Sequence, residues 1–292
     1  MRLGKLGEFG LLTELERRGL AQRIDADGAE LGDGLVLTQD VLVEGVHFRR
    51  EWTSWRDLGY KASAVNLSDL AAMAAEPAAL FIVVAAPPET DVDAVVELYE
   101  GLNEPAVPVL GGDTSSAPVL SVSVTAVGRS ERVPGRSGAR PGDVLVVTGP
   151  LGGAAAGLLV LERGLEGFEE LVRAHRRPPF RLDAARELGP IAHAMLDLSD
   201  GIASDAARIA ERSGLRVVVD VERLPLFPRL NEVGNEPFWT LGEDYELLAT
   251  LAPEDAERLP YAAAGCVEEG EGVELRRDGE PFEVAGWDHF SR

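Results

Sequence analysis

The chain has 292 residues, of which 45% are hydrophobic, and this length is enough for two medium-sized domains with substantial cores. It carries 50 acidic and 28 basic residues, a formal net charge of -22, which argues against nucleic acid or an anionic membrane surface as its principal partner. The single cysteine, Cys266, excludes an intramolecular disulfide framework and a cysteine-based metal cluster. The N-terminal segment is interrupted by charges and shows neither a signal peptide nor a membrane span, so we expect a cytoplasmic protein.

Residues 11–20 are the first predicted element, a helix for which Gly19 is the stop signal. A loop rich in aspartate and glycine follows. The small residues beside Asp27 are compatible with either an ordinary turn or a metal-binding loop. Taken alone, this pattern favours the turn.

The apolar run at residues 34–43 predicts a buried strand with a polar break at residues 38–40. That break places Asp40 inside the sheet. A strand this apolar has few structural reasons to contain an acid, so Asp40 is interpreted as a functional carboxylate. His47 follows the strand, and without further context it is better interpreted as a hydrogen-bonded core histidine.

The most anomalous acid lies in residues 61–77, KASAVNLSDLAAMAAEP. Apolar residues recur at helical spacing up to Val65, and the next position on that buried face is Asp69. A carboxylate removed from water needs a cation, a metal or several donors, and the only lysine nearby is Lys61, two turns back. Alternatively, Ser68 or Asp69 caps a new helix. The local pattern supports capping and metal binding about equally.

Residues 80–86 predict a strand and residues 92–102 an amphipathic helix. The order strand, Gly-Gly-Asp, loop and strand is then predicted over residues 107–127. Glycines at this point would let the backbone at Gly112 approach a large anionic ligand. Asp113 would then hold the metal ion bound to that ligand. A tight hairpin is the alternative, but the loop after Asp113 is long for one.

Residues 136–143 are the most linker-like stretch. We therefore expect an N-terminal domain of residues 1–137 and a C-terminal domain of residues 138–292. A second αβ unit begins with a strand at residues 143–148 and a glycine-rich helix start. The chain contains neither G-x-G-x-x-G nor G-x-x-x-x-G-K-[ST], so a bound phosphate would have to be held by metals and arginines.

Two acids flank the start of a helix predicted over residues 202–212, which Gly214 ends. Asp200 fits an ordinary helix cap, whereas Asp197 closes an apolar strand and fits that interpretation less well. The acidic residues 242–246 precede another strand, a pattern that is commonly a solvated turn.

Six aspartates share one property: each lies at a strand end, in a glycine turn or on an apolar helix. So many misplaced carboxylates indicate one shared site. Hard oxygen ligands without histidine or cysteine select Mg²⁺, which typically bridges protein carboxylates to nucleotide phosphates. Phosphoryl transfer from a nucleotide follows as a hypothesis. The six are Asp27, Asp40, Asp69, Asp113, Asp197 and Asp200.

Ordered motifs over nearly the whole chain also resemble the thiamine-monophosphate kinase family. They are TQD with EGVHF (38–40, 44–48), KA with AVNLSDLAAM (61–62, 64–73), GGDT (111–114), RSGA (136–139), DLSDG (197–201) and GEDYEL (242–247). Single motifs are shared with aminoimidazole ribonucleotide synthetase and selenophosphate synthetase, but VNLSDLAAM, VHF and GEDYEL together are specific to the kinase. The resemblance implies an α+β fold of two αβ domains, with N-terminal sheets that pair across a homodimer.

The resemblance also implies ligands and roles. Several Mg²⁺ ions would be held by Asp27, Thr38, Asp40, Asp69, Asp113, Asp197 and Asp200. ATP would contact Gly112, Asp113, Arg136 and Ser199, and thiamine monophosphate would contact His47, Glu243 and Trp287. An acid and an aromatic face suit a cationic thiazolium. The implied reaction is direct in-line transfer of the ATP γ-phosphoryl group onto the substrate's phosphate, without a covalent nucleophile.

The chain departs from the family pattern at four places. Ala26 stands where a second aspartate is usual, Gln39 replaces a threonine, Leu241 replaces a glycine, and residues 101–108 are short. The number of metals and the contacts to the nucleotide base are therefore open.

Two alternatives remain: a sister enzyme of the same superfamily, or a non-catalytic relative that binds Mg-nucleotide. Cys266 matches neither the N-terminal cysteine of selenophosphate synthetase nor the C-terminal cysteine of the hydrogenase-maturation member.

Overall fold

The computed structural model describes residues 3–21 and 26–282, which form two β-sheets with helices packed on them. The strands of the first sheet are β1 (Ala29–Gly32), β2 (Leu35–Val43), β3 (Glu76–Ala86), β4 (Val109–Ser116) and β5 (Ser121–Arg129). They lie in the order β1-β2-β5-β3-β4. The pair β3 and β4 is parallel and the other neighbours are antiparallel.

Three helices belong to this half of the chain: α1 (Leu3–Arg17, interrupted at Gly7), α2 (Trp55–Ala72) and α3 (Val92–Asn103). Helix α2 packs on one face of the sheet and α3 packs against α2. Leu42, Ile82 and Val124 are buried beneath α2 because alternate residues of a strand point to the same face.

The opposite face of the first sheet is open. Val41, Phe81 and Val83 are 47%, 40% and 39% exposed there. Register places Val41 and Val83 in one row with Ser123 and Asp113, so these side chains share that open face.

The strands of the second sheet are β6 (Val144–Val147), β7 (Ala194–Asp197), β8 (Arg216–Asp220), β9 (Leu247–Leu251), β10 (Ala262–Glu268), β11 (Gly272–Arg277) and β12 (Glu280–Phe282). Their order is β12-β11-β8-β10-β6-β9-β7, and only the pair β8 and β11 is parallel among these described strands. The helices here are α4 (Gly153–Arg163), α5 (Glu169–Arg176), α6 (Leu182–Leu188), α7 (Ile202–Ser213), α8 (Leu230–Val233) and α9 (Pro253–Ala256). Two short 3₁₀ turns span Val221–Arg223 and Phe238–Thr240.

Helix α2 joins the two halves. Its last residues, Ala71 and Ala72, belong to the same buried cluster as Met195 of β7 and Ala249 of β9. One helix thus packs on the first sheet along most of its length and on the second sheet at its C-terminal end. This position brings residues of both halves together around the end of α2.

The sequence predicts most of these elements correctly, including β2, β3, α3 and α7. Gly214 ends α7 in the left-handed conformation, at φ 63°. The mixture of helices and mostly antiparallel strands in two sheets confirms the predicted α+β class. None of the described helices is both long and apolar enough to cross a membrane.

The Gly-Gly-Asp motif lies inside the edge strand β4, which continues to Ser116, so the loop predicted after Asp113 is reduced to residues 117–120. Because β4 and β5 are not neighbours, the hairpin alternative is wrong. Gly112 has φ 148°, and a Cβ atom there would collide with the backbone of Ile82 on β3. The glycine therefore permits close pairing of β4 with β3.

Candidate active site

Three buried or partly buried carboxylates converge between the two sheets. Asp27, Asp69 and Asp197 each offer an oxygen, and these atoms all lie within 4.8 Å of one another. Asp27 comes from the loop before β1, Asp69 from α2 and Asp197 from the end of β7. We call these three residues the carboxylate cluster. The fold thus brings together three of the six aspartates that the sequence singles out.

Asp69 lies within α2 and does not begin a helix. The N-cap of α2 is Ser54 and its C-cap is Met73, so the interpretation of Ser68 or Asp69 as a cap is wrong. The buried face of α2 continues through this turn, which carries Asp69 into the interface between the sheets. Lys61 does not neutralise it, because the Lys61 side chain pairs with Glu243.

Asp27 is held by a loop that packs tightly on β2. Gly28 permits this, because a Cβ atom there would lie 2.7 Å from Thr38 Cγ2. Arg136 donates from Nη2 to Asp27 Oδ1 at 2.6 Å, and both side chains are largely buried. Although burial alone would lower the pKa of Arg136, the Asp27 carboxylate raises it on balance. The arginine predicted to contact ATP therefore lies beside the carboxylate cluster.

Asp197 ends a four-residue strand whose side chains are all buried. Ser68, the residue before Asp69 on α2, donates from Oγ to Asp197 Oδ2 at 2.6 Å. This hydrogen bond links the helix of the first half directly to the edge strand of the second. The sequence pattern shows Ser68 only as a possible cap, so its role as a bridge is not predicted.

Burial and mutual repulsion dominate the electrostatics of the cluster. Burial, followed by the charges of Asp40, Asp197 and Asp27, raises the pKa of Asp69 well above its usual range. Burial and Asp27 raise the pKa of Asp197 to about 8, against a lowering by the Ser68 hydroxyl. Two like charges about 5 Å apart at an effective dielectric of 20 repel by roughly 3 kcal/mol. A site of this kind binds protons or metal ions to relieve the repulsion.

Two predicted metal ligands border the cluster on β2. Asp40 lies close enough to Asp69 for its charge to help raise the pKa of the Asp69 carboxyl. Thr38 is buried and donates from Oγ1 to the backbone oxygen of Asn66 on α2, at 3.2 Å. Asn66 Oδ1 is itself buried and has no hydrogen-bond partner among the described residues. Oxygen donors therefore surround the cluster on the side of the first sheet.

The loop after β7 holds a second acidic group. Asp200 does not cap α7, whose N-cap is Gly201. Asp200 Oδ2 instead accepts from Arg208 Nη2 at 2.8 Å, so the capping interpretation is wrong. The backbone N–H of Asp200 donates to Asp205 Oδ2 at 3.1 Å. Asp205 is buried, and burial with the charges of Asp200 and Asp197 raises its pKa. The sequence does not single out Asp205, although it lies beside the apolar positions of α7.

Glu243 lies in a loop that runs along the Asp197–Asp200 segment. Its N–H donates to Ser199 O at 2.9 Å, and the N–H of Tyr245 donates to Leu198 O at 2.9 Å. Asp244 and Glu246 are buried, so the interpretation of this acidic stretch as a solvated turn is wrong. Asp244 instead accepts from the N–H of Gly152 at 2.8 Å, before α4.

A cavity of about 320 Å³ opens beside Glu243. Arg173, Arg177 and Arg181 line it together with the acids of the Glu243 loop. Arg181 pairs with Glu246, and Arg177 pairs with Asp57 and Glu104, so two of these cations already have anionic partners. The cavity has the size and mixed polarity of a small-molecule pocket.

The remaining predicted site residues are not brought into the cluster. Asp113 is exposed on β4 and accepts from the N–H of Thr114, and Gly112 precedes it on the same edge strand. His47 accepts at Nδ1 from the N–H of Val43, at 3.0 Å. Trp287 lies outside the described residues.

Comparison with known proteins identifies the family. Residues 25–130 match the AIR synthase related protein, N-terminal domain, and residues 140–271 match the corresponding C-terminal domain. The thiamine-monophosphate kinase of Aquifex aeolicus is 38% identical over 309 residues, which cover 99% of this chain and 100% of that protein. The chain belongs to the thiamine-monophosphate kinase family. That of Salmonella typhimurium is 36% identical over 323 residues and 98% of each chain.

A solved structure confirms the expected fold. It is described as AaThiL complexed with AMPPCP and TMP, is 37% identical, and aligns with a TM-score of 0.92 over 99% of both chains. The family resemblance and the two αβ units expected from the motifs are therefore confirmed.

The raised carboxyl pKa values predict how the metal-free protein responds to pH. Asp197 has a folded-state pKa above its unfolded value, so its stabilising contribution is present at low pH and is lost as pH rises through about 8. Asp69 acts in the same direction, and so does Asp244, whose pKa burial raises to about 7. In EDTA, the melting temperature should fall as pH rises from about 6.5 to 9. Each kcal/mol lost from the free energy of unfolding should lower it by about 2–4 °C. Asp197→Asn should weaken this dependence.

The pH range of this experiment begins at about 6.5 because His175 acts in the opposite direction below that pH. Burial lowers the pKa of His175, so the stability that its neutral ring contributes is lost as the pH falls below the ordinary histidine pKa. Saturating Mg²⁺ should reduce the fall by replacing protons at the cluster. Melting curves that are flat in EDTA, or equally steep for wild type and Asp197→Asn, would contradict the electrostatic account.

Proposed function

We propose that this enzyme transfers the γ-phosphoryl group of ATP directly onto the phosphate of thiamine monophosphate, forming thiamine diphosphate and ADP, at the carboxylate cluster. The observation that carries the proposal is the convergence of Asp27, Asp69 and Asp197 in a chain of the thiamine-monophosphate kinase family. The solved relative described with AMPPCP and TMP supports both substrates.

The residues of the cluster fit Mg²⁺. The ligand atoms are all oxygens, and none of the described basic side chains forms an ion pair with Asp69. Burial and the neighbouring carboxylates raise the pKa of Asp69, which a bound cation would counteract. Asp27, Asp69 and Asp197 would hold the ions, with Thr38, Asp40 and Asp200 as further ligands in the proposal. Asp113 faces the open side of the first sheet and is not among these ligands. Bound Mg²⁺ would neutralise the phosphates of both substrates and the charge that develops during transfer.

The chain's own residues bind and orient the reacting groups. Arg136 is placed beside Asp27, where its guanidinium can contact a phosphate, and Ser199 adjoins the same loop as Asp197. The substrate's phosphate is largely dianionic above about pH 6, so it can attack without a general base. Positioning and charge neutralisation therefore suffice for direct in-line transfer, and no covalent nucleophile is required.

The organic part of thiamine monophosphate is proposed to bind at Glu243, with His47 and Trp287 as further contacts. Glu243 lines the cavity of about 320 Å³, and its loop runs against the loop of Asp197. The two ends of one substrate could thus occupy adjacent sites, the ring system in the cavity and the phosphate at the cluster.

The departures from the family pattern have local explanations. Ala26 packs against the hydrophobic core of the first half, so this position contributes apolar contact where a carboxylate is usual. Gln39 and Leu241 are exposed. The cluster retains three converging carboxylates despite the alanine, which supports a catalytic enzyme over a non-catalytic nucleotide-binding relative.

Activity and the role of Asp69 can be tested together. Wild-type protein with ATP and Mg²⁺ should form ADP and thiamine diphosphate only when thiamine monophosphate is present. Asp69→Asn should lower this activity by more than about 100-fold, because even changes next to metal ligands cost 10–100-fold. Its stabilisation by Mg-ATP should also largely disappear, while its metal-free stability stays equal or rises. Products are measured by chromatography and stability by thermal melts.

Asp183→Asn is the matched control, since the Asp183 side chain is 98% exposed and remote from the cluster, and its activity should equal that of wild type. Nucleotide binding without transfer by the wild type would favour the non-catalytic alternative. Full activity in Asp69→Asn would contradict the proposed role of Asp69 in the active site.

We also propose that residues 1–137 and 138–292 are the two domains of the chain.

The chain is further proposed to form a homodimer through the open face of its first sheet. The exposed apolar side chains of Val41, Phe81 and Val83 form a patch of the kind that buries against a second copy. Light scattering at micromolar concentration should give twice the mass of the chain. Val83→Asp should shift the protein toward the monomer, whereas Val92→Asp, at an exposed position on α3, should not. A monomeric wild type would contradict this proposal.

A further inference from the structure

We infer that Lys61 is a positioning residue that fixes the Glu243 carboxylate in the substrate cavity. This inference rests on the proposed function. Lys61 lies on α2 and is only 2% exposed, and its Nζ is 2.9 Å from Glu243 Oε1. The contact joins the helix of the first half to the cavity of the second. Of the 28 basic residues in the chain, only Lys5 and Lys61 are lysines.

Lys61 and His175 lie next to the two oxygens of Glu243. Oε1 accepts from Lys61, and Oε2 lies 3.4 Å from Nδ1 of His175, a buried residue of α5. Burial alone would raise the pKa of Glu243, but Lys61 and His175 lower it well below the usual range. The carboxylate is therefore ionised and held at Oε1 by Lys61, which leaves lone pairs of both oxygens for a ligand.

The backbone of Glu243 is constrained as well. Its φ is 63°, in the left-handed region that is uncommon for a residue with a side chain, and its N–H is bonded to Ser199 O. The side chain leaves this fixed backbone and ends at Lys61. Removing the lysine would therefore free the carboxylate to rotate without displacing the loop.

The position of Lys61 on α2 explains what the fixed carboxylate is for. Lys61 precedes Asp69 by eight residues, so the two lie on one helix face about 12 Å apart along the axis. Lys61 reaches the Glu243 cavity, and Asp69 belongs to the carboxylate cluster. One rigid helix thereby sets the spacing between the carboxylate that meets the ring system and the cluster that meets the phosphate.

A lysine suits this position better than the arginine that the chain uses elsewhere. The ammonium is a compact point charge, whereas a guanidinium needs a planar partner and more room. Lys61 is among the largest fully buried side chains of the described residues, in a helix packed on both sides. The competing explanation is that the pair serves only to hold the two halves together.

A double-mutant cycle separates the two explanations. Lys61→Met removes the charge with little change of volume, Glu243→Gln removes the partner charge, and the third variant carries both. A hydrogen bond to a charged group contributes about 1.5–3 kcal/mol, so Lys61→Met should raise KM for thiamine monophosphate by about tenfold or more. It should change kcat by less than about threefold and KM for ATP by less than about twofold.

The cycle tests whether Lys61 acts through Glu243. In the Glu243→Gln background, Lys61→Met should raise KM for thiamine monophosphate by less than about threefold, because the carboxylate to be fixed is already absent. Additive effects, or a fall in kcat with unchanged KM for thiamine monophosphate, would overturn the inference. Arg276→Met, which removes a partly exposed ion-paired cation remote from the cavity, is the control and should match wild type.

Two further comparisons keep the outcome decisive. If Lys61→Met does not fold, Lys61→Arg takes its place in the experiment. It keeps the charge but displaces it, so KM for thiamine monophosphate should again rise while kcat and KM for ATP change little. Calorimetric titration of the wild type with thiamine monophosphate and AMPPCP then separates the two proposals. A wild type that neither binds nor phosphorylates thiamine monophosphate overturns the proposed function, and the inference with it. A functional wild type with unaltered Lys61 variants overturns only the inference.

Discussion

Repulsion among buried carboxylates is the constraint on which the site depends. Oxygens of Asp27, Asp69 and Asp197 lie within 4.8 Å of one another, and the Arg136 guanidinium pairs with Asp27. Keeping such a group buried costs stability unless protons or cations bind it. The fold bears this cost by supporting each acid from a different element. The polar contacts of Ser68, Thr38 and Arg136 tie those elements to one another around the cluster.

Helix α2 makes this arrangement possible because it belongs to both halves of the chain. It packs on the first sheet, ends in the core of the second, and presents Lys61 and Asp69 to different parts of the site. Loops alone would place these groups with less precision, since a helix fixes the distance between residues eight positions apart. The proposed function therefore depends on how α2 is held between the sheets as much as on the acids themselves.

The sequence predicts the local structure well. Helical spacing identifies the buried face that carries Asp69, an apolar strand identifies Asp197, and the lack of histidine and cysteine partners is the basis on which Mg²⁺ is proposed. These signals are local, and each can be assessed from a few residues. The ordered motifs then supply the family and the fold, which the comparisons confirm.

Contacts between distant segments are what the sequence does not show. Lys61 and Glu243 are 182 positions apart, and Ser68 and Asp197 are 129 apart. The residues around each of these four side chains do not indicate which distant residue it contacts. The packing role of Gly112 is hidden for a related reason: a glycine that permits close strand pairing has the same sequence signature as one that admits a ligand. Asp205 escapes notice because it lies among ordinary exposed and apolar positions of α7.

Metal binding at the carboxylate cluster is the central claim, and anomalous diffraction tests it most directly. Crystals grown with AMPPCP and with Mn²⁺ in place of Mg²⁺ would locate the metal independently of any assay of turnover. The account predicts an anomalous peak within about 2.5 Å of carboxylate oxygens from Asp27, Asp69 and Asp197. Metal bound only elsewhere would contradict it.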